Sequence, residues 1–135
     1  MSDPLGMTDP VVPVSWGELL DKIAILEIKR VRLRAPAAVA NTERELAALR
    51  PAIDALAPPP AGLPELRAAL AAVNQRLWTI EDRIREKEAA GDFGPDFVAL
   101  ARSVYRENDE RGRIKRAINM LLGSGLVEEK QYAAY

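Results

Sequence analysis

The feature that most constrains this chain is a pair of long apolar rows set on either side of a very short break. On the first side Leu66, Leu70, Val73, Leu77, Ile80 and Ile84 recur at alternating steps of four and three, the seam of a coiled coil. Pro64, just before them, suits a first helical turn. On the second side Phe97, Leu100, Val104, Ile114, Ile118 and Leu121 follow Pro95 at helical spacing. Between the rows stand Gly91, a good left-handed stop, and the turn residues Asp92, Phe93 and Gly94. The spacing predicts helices over about 64–90 and 95–122, each roughly 40 Å long at ~1.5 Å per residue. So short a turn forces them to lie antiparallel.

The N-terminal half is punctuated differently. Ser15-Trp16-Gly17-Glu18 fits a capping box, and behind it Leu19, Ile23, Leu26 and Leu33 form one row with Leu20, Ala24, Ile28 and Val31 beside it. This predicts a broadly buried helix over about 16–34, interrupted by Pro36. Thr42 to Glu45 repeats the capping spacing, and Leu46, Leu49, Ile53 and Leu56 continue a row through Pro51, giving a second helix over about 42–57 with a kink or restart at the proline. Pro58-Pro59-Pro60 and Gly62 make a stiff spacer. No period-two run appears. The expected fold is therefore all-α: a long antiparallel helical hairpin with the N-terminal helices packed against it, in a single domain over 14–135, preceded by a flexible arm over 1–13.

Composition narrows the chemistry. The chain has no Cys and no His, which removes disulfides, thiolate nucleophiles, imidazole bases and Cys/His zinc sites. Carboxylates, Lys, Arg, Tyr and hydroxyls remain, and Glu81-Asp82 with Glu107 and Glu110 have only ordinary spacing for a Mg²⁺ pair. No metal and no cofactor are expected, and nothing singles out a catalytic residue. The formal charge of −1 argues against a nucleic-acid binder acting through bulk charge. Neither a signal peptide nor a membrane span is legible, so a cytoplasmic protein is expected.

Helix four breaks its apolar row between Tyr105 and Arg113, where Asn108 and Arg111 stand in place of apolar residues. If the turn centres near Asp92 and Phe93, Asn108 comes near Leu77 and Trp78, and Arg111 near Asn74. This assembles a mid-bundle polar layer of Asn74, Trp78, Glu81, Tyr105, Asn108 and Arg111. Its plain reading is a buried Asn that fixes register and oligomeric state. Its functional reading is a ligand site. From Arg102 to Arg116 six basic residues stand against three acidic ones, which suits a phosphate but equally a solvated helix face. Trp16 and Trp78 serve either the core or an interface. Leu126 to Tyr132 reads as a short helix folding back on the bundle or as a docking strip.

The string Ser15-Trp16-Gly17-Glu18-Leu19-Leu20-Asp21-Lys22-Ile23, the string Leu77-Trp78-Thr79-Ile80-Glu81-Asp82, and the end motif from Gly123-Ser124-Gly125 through Leu126-Val127-Glu128-Glu129-Lys130 resemble a family of short helical bacterial proteins of unknown function. The resemblance extends from about Val14 to Tyr135 and implies the helical fold. It also implies an association with surface-polysaccharide or glycosyltransferase functions, with no activity or site residues attached. Together these features lead to the expectation of a small non-catalytic interaction or accessory protein. A homodimer is expected, because the apolar content exceeds what one thin hairpin hides, and a further protein partner is compatible with it. The alternative is a binder or enzyme that takes a phosphorylated or sugar-nucleotide ligand at the polar layer.

Overall fold

The computed structural model describes residues 8–135, which form four helices: α1 (Trp16–Arg32), α2 (Pro36–Asp54), α3 (Leu63–Ala90) and α4 (Pro95–Leu122). The expected arm lies in part, over 1–7, outside the described residues. Residues 8–14 are exposed and lie before the first helix.

The long hairpin is as the spacing required. Gly91 ends α3 in the left-handed region at φ 64°, and the Asp92 N–H donates back to the Lys87 carbonyl. The helices pack antiparallel, with Arg76 Nε donating to Glu107 Oε2 across the pair at 2.9 Å. Gly123, left-handed at φ 63°, ends α4.

The second helix differs from expectation. It begins at Pro36 rather than near residue 42 and ends at Asp54 rather than near residue 57. Pro36 both stops the preceding segment and opens the next helix, since a first-turn residue needs no N–H partner. Thr42, whose spacing to Glu45 mimics a cap, sits in mid-helix and donates its hydroxyl to the Ala38 carbonyl. The helix passes through Pro51 without a restart and ends three residues later.

The helix α1 is the centre of the molecule. One face, with Leu20 and Ala24, packs against Leu63, Leu70 and Val73 of α3 and Ile114 and Ile118 of α4. The adjoining face, with Ile23 and Leu26, packs against Leu46 of α2. The backbone of α2 approaches α1 alone, so α2 is not laid across the hairpin as expected. Only Ile53, near its end, and Leu56 beyond it reach the first core. Because Gly17 meets Asn119 and Asp21 meets Arg111, α1 runs antiparallel to α4.

Residues after Gly123 form no helix. They fold back along α4 as a strap, tied by Lys115 to Glu128, by Arg116 to Glu129 and by the Tyr135 hydroxyl, which donates to Asp109 Oδ2 at 2.6 Å. Of the two readings of Leu126 to Tyr132, a short helix folding back on the bundle or a docking strip, the segment does fold back on α4 but without helical structure.

Among the described glycines, the closest approach of a neighbour falls at Gly17. A Cβ there would lie 2.5 Å from the Lys115 carbonyl oxygen and 3.0 Å from Asn119 Oδ1. In an ordinary helix interior Gly→Ala stabilises by about 0.5–1 kcal/mol. Here the sign inverts, and we expect Gly17→Ala to lower stability by about 2 kcal/mol, as for an overpacked core. Urea unfolding of the two proteins checks it, and a gain in stability would contradict the close α1–α4 approach.

Candidate functional site

Each of the three packed helices brings a polar stripe to their junction. On α1, Gly17 and Asp21 share a face one turn apart. On α4, Arg111, Lys115 and Asn119 stand at successive steps of four beside the apolar row. On α3, Asn74 and Trp78 do the same. Packing against α1 turns these stripes inward, and the charged groups are buried with their partners.

Asp21 is the hub, with its side chain only 3% exposed. Its Oδ1 accepts from Asn74 Nδ2 at 2.8 Å, and its Oδ2 lies 3.7 Å from Arg111 Nε and 3.9 Å from Lys115 Nζ. Lys115, 6% exposed, donates at 2.8 Å to Glu18 Oε2 and at 2.8 Å to Glu128 Oε2 of the strap. Burial alone would depress the Lys115 ammonium. The hydrogen bonds it donates to Glu128 and Glu18, with the charges of Glu18 and Asp21, outweigh burial and raise its pKa above the usual lysine value. The hydrogen bond from Lys115 correspondingly holds the Glu128 carboxyl below the usual glutamate range, against the opposing effect of burial.

A second set of bonds locks the start of α1. The Glu18 N–H donates to Ser15 Oγ at 3.1 Å, half of the capping box, while the Glu18 carboxylate is committed to Lys115 instead of returning to the Ser15 N–H. The Trp16 N–H donates to Ser124 Oγ and the Gly17 N–H to Asn119 Oδ1 at 2.7 Å. Two of the four N–H groups that a helix start leaves open are thus met by the strap's first residues and by α4.

Beside the hub lies a groove of about 380 Å³ lined by Asn74, Trp78, Glu81 and Arg111 of the expected layer, with Ile25, Leu77, Asp82 and Arg85. Arg111 is the distinctive group. Its Nε is buried without a hydrogen-bond partner among the described residues, and its side chain remains 26% exposed and lines this groove. The other two members of the layer are elsewhere. Tyr105 is exposed and packs edge-on against Tyr135 of the strap, centroids 5.0 Å apart. Asn108 is half-buried, does not line the groove, and makes no side-chain hydrogen bond among the described residues. Asn74 is the buried Asn, and its partner comes from α1 rather than α4. Of the six basic residues between Arg102 and Arg116, four face carboxylates: Arg111, Arg113, Lys115 and Arg116. The patch is therefore largely neutralised from within.

Sequence reasoning missed Asp21, Lys115, Asn119 and Glu128. The available signal was Asp21 one turn from Gly17 inside the buried face of α1, and the four-residue spacing Arg111–Lys115–Asn119.

A family model described as a family of unknown function (DUF6165) matches residues 11–135. No curated protein and no solved structure matches the chain. Among the described residues no helix is long and apolar enough to cross a membrane.

Removing the hub leaves two cations facing a void. We expect Asp21→Ala to cost about 3 kcal/mol, the scale for breaking a buried pair by deleting one partner, and Asp21→Asn to cost less because it keeps an acceptor for Asn74. Thermal unfolding of both variants checks the order. The lowered Glu128 carboxyl stabilises the fold fully above the ordinary value of 4.5 and loses that contribution as the pH falls through its lower folded value. An NMR titration of the Glu128 carboxyl carbon should give a midpoint below 4.5, with loss of strap contacts following the same curve.

Proposed function

The chain belongs to this family, DUF6165, and we propose that it is a non-catalytic helical interaction protein of the cytoplasm that works as a homodimer. The observation that carries the reading is the mismatch between α1 and the hairpin it covers. With 17 residues against 28, α1 spans roughly 25 Å of a roughly 42 Å hairpin. Toward the turn the seam residues Leu77, Ile80, Ile84, Phe97, Leu100 and Val104 are each only half-buried. Phe93 and Val98 are exposed at the tip, 55% and 50%. Apolar surface left open on this scale is what partner-binding helices present. The accessory role in surface-polysaccharide or glycosylation functions rests on the family resemblance alone. Light scattering across a concentration series tests the homodimer: a dimer is expected at tens of micromolar, and a clean monomer at high micromolar would overturn it.

Arg111 favours a second reading, a small-ligand site in the groove beside Trp78. A guanidinium whose Nε faces Asp21 and whose side chain stays partly exposed at the groove suits a phosphoryl or carboxylate group, and Trp78 offers a face for a ring. A thermal-shift screen against nucleotides and nucleotide sugars tests it. A true ligand at one hundred times its dissociation constant stabilises by about 2.7 kcal/mol, and Arg111→Ala should abolish the shift.

A further inference from the structure

The strap is an unusual element. Beyond Gly125 it has no helix, and its ties to α4 are made by side chains: Glu128 on Lys115, Glu129 on Arg116, Tyr135 on Asp109. Such ties do not depend on which copy of the chain supplies them. The connection allows a change of course. The last backbone bond into the helix end is the Ser124 N–H donating to the Asn119 carbonyl, and nothing lies within 4 Å of a Cβ built at Gly123 or at Gly125. The chain can therefore pivot just after Ser124 without disturbing the lock between Ser124 and Trp16.

We propose that two copies exchange their straps about Gly125, so that residues 126–135 of each copy dock on α4 of the other and the partner's Glu128 completes the Lys115 site. This rests on the homodimer reading above and joins the copies at the pivot, at the far end of the hairpin from its open turn-end surface. Charge complementarity supports it: the strap's Glu128 and Glu129 meet Lys115 and Arg116, and the same pairs form in trans. Apolar surface favours exchange over closure. In the closed chain Met120 is 57% exposed, Leu126 49% and Leu121 40%, all close to the pivot. In the exchanged pair the two pivots pass side by side about a two-fold axis, and these residues of each copy cover those of the other. Exchange of an identical element is a low-cost route to a dimer because it keeps every native contact of the closed form.

The exposed Arg116–Glu129 pair allows a test on the full chain without touching the buried hub. Arg116→Glu opposes the strap's own Glu129, and Glu129→Arg opposes its own Arg116. Each variant alone loses the same pair from its closed form as from its exchanged form, so its dimerisation is expected to stay close to that of the parent. Mixed together, both exchanged interfaces are matched again. The mixture should then form the heterodimer well above the one-half expected from random pairing, read by native mass spectrometry. Circular dichroism of each variant confirms an intact fold, and the parent mixed with Glu129→Gln, whose heterodimer only averages the pairs of the two homodimers, should pair at random. If the two charge variants mix at random, strap exchange is overturned while the homodimer stands. If the parent is monomeric at every concentration, the homodimer falls and strap exchange with it.

Discussion

The rest of the structure depends on the carboxylate of Asp21, buried between three helices. Removing a charge from water is costly, and a pair in the interior does not by itself stabilise a fold. What it does is make wrong arrangements far more costly than the right one. Asp21 finds Asn74 from α3 and the two cations Arg111 and Lys115 from α4 only at one rotation and one axial position of α1 on the hairpin. A slide of one turn would leave the carboxylate in the apolar contact of Leu20 and Ala24 and take it from the buried Lys115 and the half-buried Arg111. Since α2 leans on α1 alone, that choice also places α2. The close passage at Gly17 acts in the same direction, because it lets α1 come near enough to α4 for the polar groups to meet.

Much of this was legible. The hairpin, its turn and the start of α1 are encoded locally, by 3.5–3.6 periodicity ended by glycine or begun by a serine cap, and local signals do not depend on what packs against them. The start of α2 was misread because two local signals competed. Thr42 and Glu45 imitate a cap, but Pro36 can open a helix earlier, and each added turn gains backbone hydrogen bonds while the Thr42 hydroxyl is satisfied by Ala38.

The polar layer was half legible for a different reason. A two-helix register brings Asn74 and Arg111 to one level, and they are at one level. It cannot say which side of the pair a third helix will cover. With α1 laid against Asn74, Arg111 and Lys115, the inward polar stripe runs 111, 115, 119, and Asn108 falls to its edge. Lys115 was hidden for a related reason. A lysine beside an apolar row normally extends its ammonium to water, and only Glu18, Asp21 and Glu128, which come from elsewhere in the chain, make its burial tolerable.

The two strings most characteristic of the chain are, in space, a single object. Ser15 caps α1, the Trp16 N–H reaches Ser124, the Gly17 N–H reaches Asn119, and Glu18 shares Lys115 with Glu128. Their polar groups are engaged in joining the first helix to the last helix and the strap, so those strings by themselves are accounted for by architecture. Surface free for work on other molecules lies outside them: the Trp78 and Arg111 groove, the half-covered turn end of the hairpin, and the apolar residues around the pivot. A lock made of ions rather than packed apolar side chains also differs in kind. It weakens with acid and salt, which leaves a dry core such as that around Leu70 and Ile118 intact. The strap is thus the element of this fold that conditions can loosen without unfolding the helices beneath it.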